Sequence, residues 1–227
     1  GSAADDNSGS LTYVKICYAG ARSTADIEHN GLTLNGVGNG TKIENIYVLE
    51  SADDAIEFFG GTVNVTNLLA VNPDDDMFDF TQGYCGTLKN CYGVWESDYT
   101  STEADPRGIE ADGNMDGLYP DHLRQSDFKV ENMTIVNNAA NTADNVDRMQ
   151  DVIKIRRGAK ATITNALVKG TGGAIDLVDM KDSKGAGNIE SSIHITNTLI
   201  FTGLKQNGEL NTFVESADNT GADASLF

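Results

Sequence analysis

Long apolar runs are missing from this 227-residue sequence. A helix that crosses a bilayer needs about 20 consecutive apolar residues, so no membrane span is expected. No signal-peptide pattern occurs, and the opening Gly1-Ser2 has the form of a cloning scar, which is compatible with an export signal removed upstream. Positive charge is scarce. Sixteen Lys and Arg face 34 Asp and Glu, and the net charge of -18 argues against nucleic acid or an anionic membrane as a general partner. That balance suits a soluble exported protein, or one that holds divalent cations. Cysteine numbers only three, so full internal pairing is excluded. Cys91 reads as core, with a strained disulfide to Cys85 as the alternative, and Cys17 stands alone. With no CxxC pair, and with His29, His122 and His194 scattered, a zinc site is not expected. Proline is limited to three residues against 24 glycines, a ratio that fits many short strands joined by tight turns. No long segment has the 3.6-residue apolar period of a buried helix.

A repeated phrase is present instead: apolar, polar, Asn, apolar. It places asparagine at 45, 67, 90, 132, 165 and 197, at intervals of 22, 23, 42, 33 and 32 residues. The short intervals suit one turn of a solenoid, and the long ones a turn plus a loop. Asparagine tolerates left-handed backbone and carries both donors and an acceptor, so stacked copies can hydrogen-bond along a ladder.

Aligning these phrases aligns their flanks. Each turn reads as a strand ending at the asparagine, a second strand after it, a variable loop, and a third strand closing on glycine. The third strands alternate with period two. Leu32, Ile56, Phe78, Ile109, Ile153 and Ile175 should form one inward stack, and Leu34, Phe58, Phe80, Ala111, Ile155 and Leu177 a second. Ile46, Leu68, Cys91, Met133 and Ala166 should form another after the ladder. The expectation is an all-β chain, a right-handed parallel β-helix of about seven turns with three short strands each, over a single domain 1–227. A β-propeller needs about 40 residues per blade, too many for the short intervals. Insertions near 96–107, 114–127, 137–151 and 180–188 are either tolerated surface loops or the walls of a groove.

Several stretches together resemble a pectin-lyase-like β-helix family of exported bacterial proteins and lipoproteins, found largely in Bacteroidetes. They are Asp5-Asp6-Asn7-Ser8-Gly9, Ser51-Ala52-Asp53-Asp54 with Glu57-Phe58-Phe59-Gly60-Gly61, Asp74-Asp75-Asp76 with Phe78-Asp79-Phe80, Gly108-Ile109-Glu110 and Ile155-Arg156-Arg157-Gly158. The resemblance implies the same fold and a place outside the cell or on its outer surface, more than any reaction. Relatives usually carry further turns before the first of these motifs, so a fragment of a longer solenoid is expected. Exposed terminal turns would then allow end-to-end association.

Chemistry is expected on the outward side of the third strands. One column reads Thr33, Glu57, Asp79, Glu110, Lys154 and Asp176; the next reads Asn35, Phe59, Thr81, Asp112, Arg156 and Val178. Successive carboxylates about 5 Å apart raise one another's pKa or share a cation. Three readings stay open. The face is solvated and salt-bridged; or Asp53, Asp54, Asp74, Asp75 and Asp76 hold calcium, an all-oxygen cofactor site; or Glu57, Asp79, Glu110, Lys154 and Arg156 act on an anionic polysaccharide as a calcium-assisted lyase or a hydrolase. Arg157, Asp112, Asp176, Phe59 and Trp95 are candidate ligand contacts, the aromatics by stacking on sugar rings unless they simply anchor loops. The reading that fits best is an exported, non-enzymatic binding or structural module whose partner is a polysaccharide or surface glycan.

Overall fold

A computed structural model describes residues 3–21, 29–103, 105–114, 124–139, 149, 151–172, 176–197, 200–202 and 214–215. His122, Ile175 and most of the insertions at 114–127 and 137–151 lie outside the described residues. In chain order the strands are β1 (Ser10–Cys17), β2 (Leu32–Asn35), β3 (Lys42–Leu49), β4 (Ile56–Phe59), β5 (Asn64–Val71), β6 (Phe78–Thr81), β7 (Thr87–Trp95), β8 (Ile109–Asp112), β9 (Asp127–Asn137), β10 (Asp151–Arg156), β11 (Lys160–Gly170), β12 (Asp176–Asp179), β13 (Ser192–Thr196), β14 (Ile200–Thr202) and β15 (Val214–Glu215). Long odd-numbered strands β1 to β13 stack in order into one sheet, with β14 also pairing β11. The short strands stack into a second, from β2 to β12 and then β15. Every pairing between named strands is parallel, which is the topology of a parallel β-helix. Among the described residues no helix is long and apolar enough to cross a membrane.

The two strands expected on either side of Asn45, Asn67, Asn90, Asn132 and Asn165 run as one bent strand, while those flanking Asn197 are separate, β13 and β14. Asn45, Asn67, Asn90, Asn132, Asn165 and Asn197 all have φ between 54° and 60°, and the first five turn the chain without ending the strand. Their side chains connect the turns. Asn67 Nδ2 donates to Asn45 Oδ1 at 2.8 Å, Asn90 to Asn67 at 3.0 Å, Asn132 to Asn90 at 2.8 Å and Asn165 to Asn132 at 2.9 Å. In the first turn the register gives this position to Tyr13, also left-handed at φ 56°. Replacing Asn90 with Ala should cost about 2 kcal/mol in urea denaturation, since left-handed backbone costs an L-residue about 1–2 kcal/mol and two exposed hydrogen bonds go. Asn90→Gly should cost clearly less, because only the bonds are lost. Equal losses in the two variants would rule out backbone strain as the reason asparagine stands there.

Burial follows the period-two pattern. Ile56, Phe78, Ile109 and Ile153 line one inward column and Phe58, Phe80, Ala111 and Ile155 the next, all without exposure. Phe58 stacks on Phe80 at 5.2 Å, and Phe128 stacks on the same ring at 4.1 Å at the level where the column narrows to Ala111. Tyr84 closes this aromatic group 4.4 Å from Phe58, its hydroxyl donating to the Val63 carbonyl at 2.8 Å. Cys91 is buried, and all three cysteines are free thiols.

One register differs from expectation. Lys154 pairs across the sheet with Asp179, and Asp176 pairs with Asp151. The shift is three residues, an odd number, so the two faces exchange: Val178 lies inward against Ile153 and has no exposure. The physical reason is the buried ammonium of Lys154, which this register places beside the Asp179 carboxylate.

Candidate functional site

Glu57, Asp79, Glu110 and Lys154 stand in direct register on β4, β6, β8 and β10. Each is flanked by two buried apolar neighbours, as Glu57 is by Ile56 and Phe58, so alternation turns it away from the core. Three residues before each of these four lie Asp54, Asp76, Arg107 and Asp151, the last opening β10, and Asn30 precedes β2. Arg107 divides the face into two unlike halves.

Below it, acids and cations pair. Arg107 donates to Glu110 and, at 3.0 Å, to Asp105, and its Nε lies 3.6 Å from Asp151. Arg156 donates to Glu110 and to both oxygens of Asp112, at 2.8 and 3.1 Å. Arg157 bridges Asp112 at 3.2 Å and Asp182 at 3.0 Å, and Lys154 pairs with Asp179. Burial works against the charge on Arg107 and Arg156. The surrounding acids together outweigh it, Glu110, Asp76, Asp105 and Asp151 at the first and Asp112, Glu110 and Asp79 at the second, and both guanidiniums are held above their ordinary range.

Above Arg107 the face is acid alone. None of Asp53, Asp54, Glu57, Asp75, Asp76 and Asp79 forms an ion pair with a Lys or Arg among the described residues. One oxygen each from Asp54, Asp76 and Asp79 lies within 4.8 Å of the other two, and Asp53, Asp54 and Asp75 form a second such set. Asp54 belongs to both. It also accepts the Asp76 backbone N–H at 2.9 Å, while Glu57 accepts from Asn30. Oδ1 of Asp75, Asp76 and Asp79 is buried with no hydrogen-bond partner. Burial first, and then neighbouring carboxylates, pushes Glu57 up to about 7 and Asp75 to about 8, and holds Asp54, Asp76 and Asp79 well above the usual range. Buried oxygens without donors, aimed into a group of acids, fit a hard cation with oxygen ligands.

The remaining candidates are placed otherwise. Asp74 stands apart from both acid sets. It accepts from the Tyr99 hydroxyl at 3.0 Å, from the Thr102 N–H at 2.8 Å and from the Thr102 hydroxyl, and so pins the 96–107 insertion. Trp95 is corrected as a sugar platform: it is 2% exposed, and its indole N–H donates to the Pro73 carbonyl at 2.9 Å. Phe59 is half-buried between Asn35 and Thr81 in register. Asp176 is not on the column, because the odd register shift sets it against Asp151. Sequence reasoning missed Asn30, Arg107 and Asp179 as members of this face. A signal existed for Arg107, which stands three residues before Glu110, as Asp54, Asp76 and Asp151 stand three before Glu57, Asp79 and Lys154.

A family model described as a pectate-lyase-like beta helix domain matches residues 1–225. No curated protein and no solved structure matches the chain.

Proposed function

The chain belongs to the pectate-lyase-like β-helix domain family, and because such a fold carries catalysts and passive binders alike, we propose that this member is a non-enzymatic binding module of the cell exterior whose acidic recess takes calcium and, with it, an anionic glycan. One observation carries the reading: the buried, unpartnered oxygens of Asp75, Asp76 and Asp79 within a group of six carboxylates that form no ion pair with a Lys or Arg among the described residues. Asp54, Asp76 and Asp79 would hold the ion, with Asp53 and Asp75 completing a second set through Asp54. Bound there, calcium supplies the positive charge that this face lacks toward a uronate or sulfate group. Carboxylate sites on exterior modules bind calcium at about 10⁻⁴–10⁻³ M, which suits that location.

Support for a binder over a catalyst comes from the cations. β-Elimination needs a free base, whereas Lys154 is buried against Asp179 and Arg156 is held by Glu110 and Asp112. The enzymatic alternative has one observation in its favour. Glu57 stands in register beside Asp79, and burial pushes it up to about 7, near the range of a general acid at neutral pH. Calcium at about 100 times its Kd should raise the unfolding free energy by about 2.7 kcal/mol, and the Asp76→Asn, Asp79→Asn double variant should not respond. With calcium present, polygalacturonate should bind the chain and yield no unsaturated product absorbing in the ultraviolet. An unchanged melting temperature would sink the cation site. Product that disappears in Lys154→Ala or Arg156→Ala would replace the module with a lyase.

A further inference from the structure

The outer face of the long-stranded sheet changes character at the asparagines. Before the bend its outward column reads Glu44, Thr66, Lys89, Glu131 and Thr164, an ordinary solvated row. After it, the register aligns Lys15, Tyr47, Leu69, Tyr92, Thr134 and Leu167. Tyr92 is 41% and Leu69 37% exposed, and Lys15 sits 4.8 Å over the Tyr47 ring. Beside it lies a row of Leu49, Val71, Val94 and Val136, in which Leu49 and Val94 are half-buried and Val71 and Val136 are buried. On the other side runs the asparagine ladder. Each ladder amide that donates one Nδ2 hydrogen to its neighbour keeps a second, and Asn67, Asn90, Asn132 and Asn165 are exposed. At the bend, Asn132, Thr134, Asn165, Leu167 and Asn197 border a recess of about 380 Å³.

We propose that the strip formed by the asparagine ladder and the Tyr47–Leu69–Tyr92–Thr134–Leu167 row, with the recess at its far end, is a second binding site, for an uncharged, extended polysaccharide laid across the turns. It rests on a different sheet and on different residues from the acidic recess. The exposed apolar part of the row is on the order of 300 Å², against roughly 800 Å² that each partner buries in a stable protein interface. A second copy of this chain is therefore too broad an occupant for the row, and a single glycan strand is not. Charge selects an uncharged one. The row holds one cation and no acid, and the chain's net charge of -18 repels uronates and sulfates where no metal intervenes. Tyr47 and Tyr92 are two turns apart, about 10 Å at the rung spacing of a sheet. Rings of an extended pyranose chain advance by close to one rung each, so alternate sugars would stack on the two tyrosines. The ladder amides, repeating at the same spacing, would meet the equatorial hydroxyls.

Affinity electrophoresis in EDTA, with hydroxyethylcellulose, mixed-linkage β-glucan and galactomannan in the gel, tests this. At least one of the three should retard the chain. Tyr92→Ala and Tyr47→Ala should each weaken that binding at least about tenfold, while Asp76→Asn with Asp79→Asn should leave it unchanged. That last variant separates this site from the calcium reading, since either can fail alone. The proposal is overturned if none of the three polymers retards the wild type. It is equally overturned if the double tyrosine variant, shown folded by circular dichroism, is retarded as strongly, or if sedimentation shows a dimer that the tyrosine variants abolish.

Discussion

In a chelating buffer the unfolding free energy of this chain should fall as pH rises from about 4 to about 8, and calcium should abolish that fall. Unfolded, the carboxylates titrate near their ordinary values, 4.5 for Glu57 and 3.8 for Asp75. Folded, the same two groups titrate near 7 and near 8, and burial holds Asp54, Asp76 and Asp79 well above their ordinary range. Between those limits the native state binds more protons than the unfolded state, so stability must decline with rising pH. Glu57 alone accounts for about 3 kcal/mol at most across the window, since each pH unit between its unfolded and folded titrations is worth about 1.4 kcal/mol. The groups facing this cluster are Asp53, Glu103, Asp105, Glu110 and Asp112, all acidic, with the Arg107 and Arg156 guanidiniums beside Asp76 and Asp79, His29 beside Asp53, and Asn30 a neutral donor. Nothing there reverses the sign. Asp79→Asn should flatten the curve from the alkaline side by removing one buried charge. Urea denaturation at fixed pH steps measures all of this, and a curve that rises toward pH 8 in EDTA would contradict the buried acid cluster itself.

Breaking the Lys154–Asp179 pair should be the most damaging single change on this face. Both side chains are under 10% exposed. Removing one partner strands a buried charge, a loss of about 3–5 kcal/mol. Lys154→Met keeps the volume and should show that loss by chemical denaturation. Adding Asp179→Asn removes the stranded charge and keeps an acceptor for the Lys181 N–H, now bonded at 2.7 Å; most of the stability should return. A catalytic lysine gives another pattern, with activity lost in both variants whatever their stability. If the single variant costs less than about 1 kcal/mol, the pair belongs with exposed ion pairs of little weight.

Much of this architecture could be read from the residues, because each asparagine phrase marks the same bend and so carries the register of its flanks. Glu57, Asp79, Glu110 and Lys154 were placed in one row by alternation alone, and the structure pairs them turn by turn. Alternation fails where two frames are equally apolar. Around Asp176 the run Ala-Ile-Asp-Leu-Val-Asp-Met reads acceptably in either frame, and a contact with Lys154, distant in sequence, settles it. Trp95 misled for another reason: its place beside the 96–107 insertion suggested an exposed ring, whereas it shares the inward parity of β7 with Cys91 and Gly93 and joins the core. The split of the acidic face was also hidden. It turns on Arg107, whose reach to Glu110, Asp105 and Asp151 is a matter of three dimensions.

Every backbone bond between neighbouring strands of both sheets points along the solenoid axis, and the amide ladder points the same way. Tension applied end to end therefore loads these bonds one layer at a time, as in a zipper, and each layer grips only the two beside it. Tension along the strands would instead shear a whole layer against its neighbours at once. The molecule is mechanically anisotropic, soft lengthwise and stiff across its width.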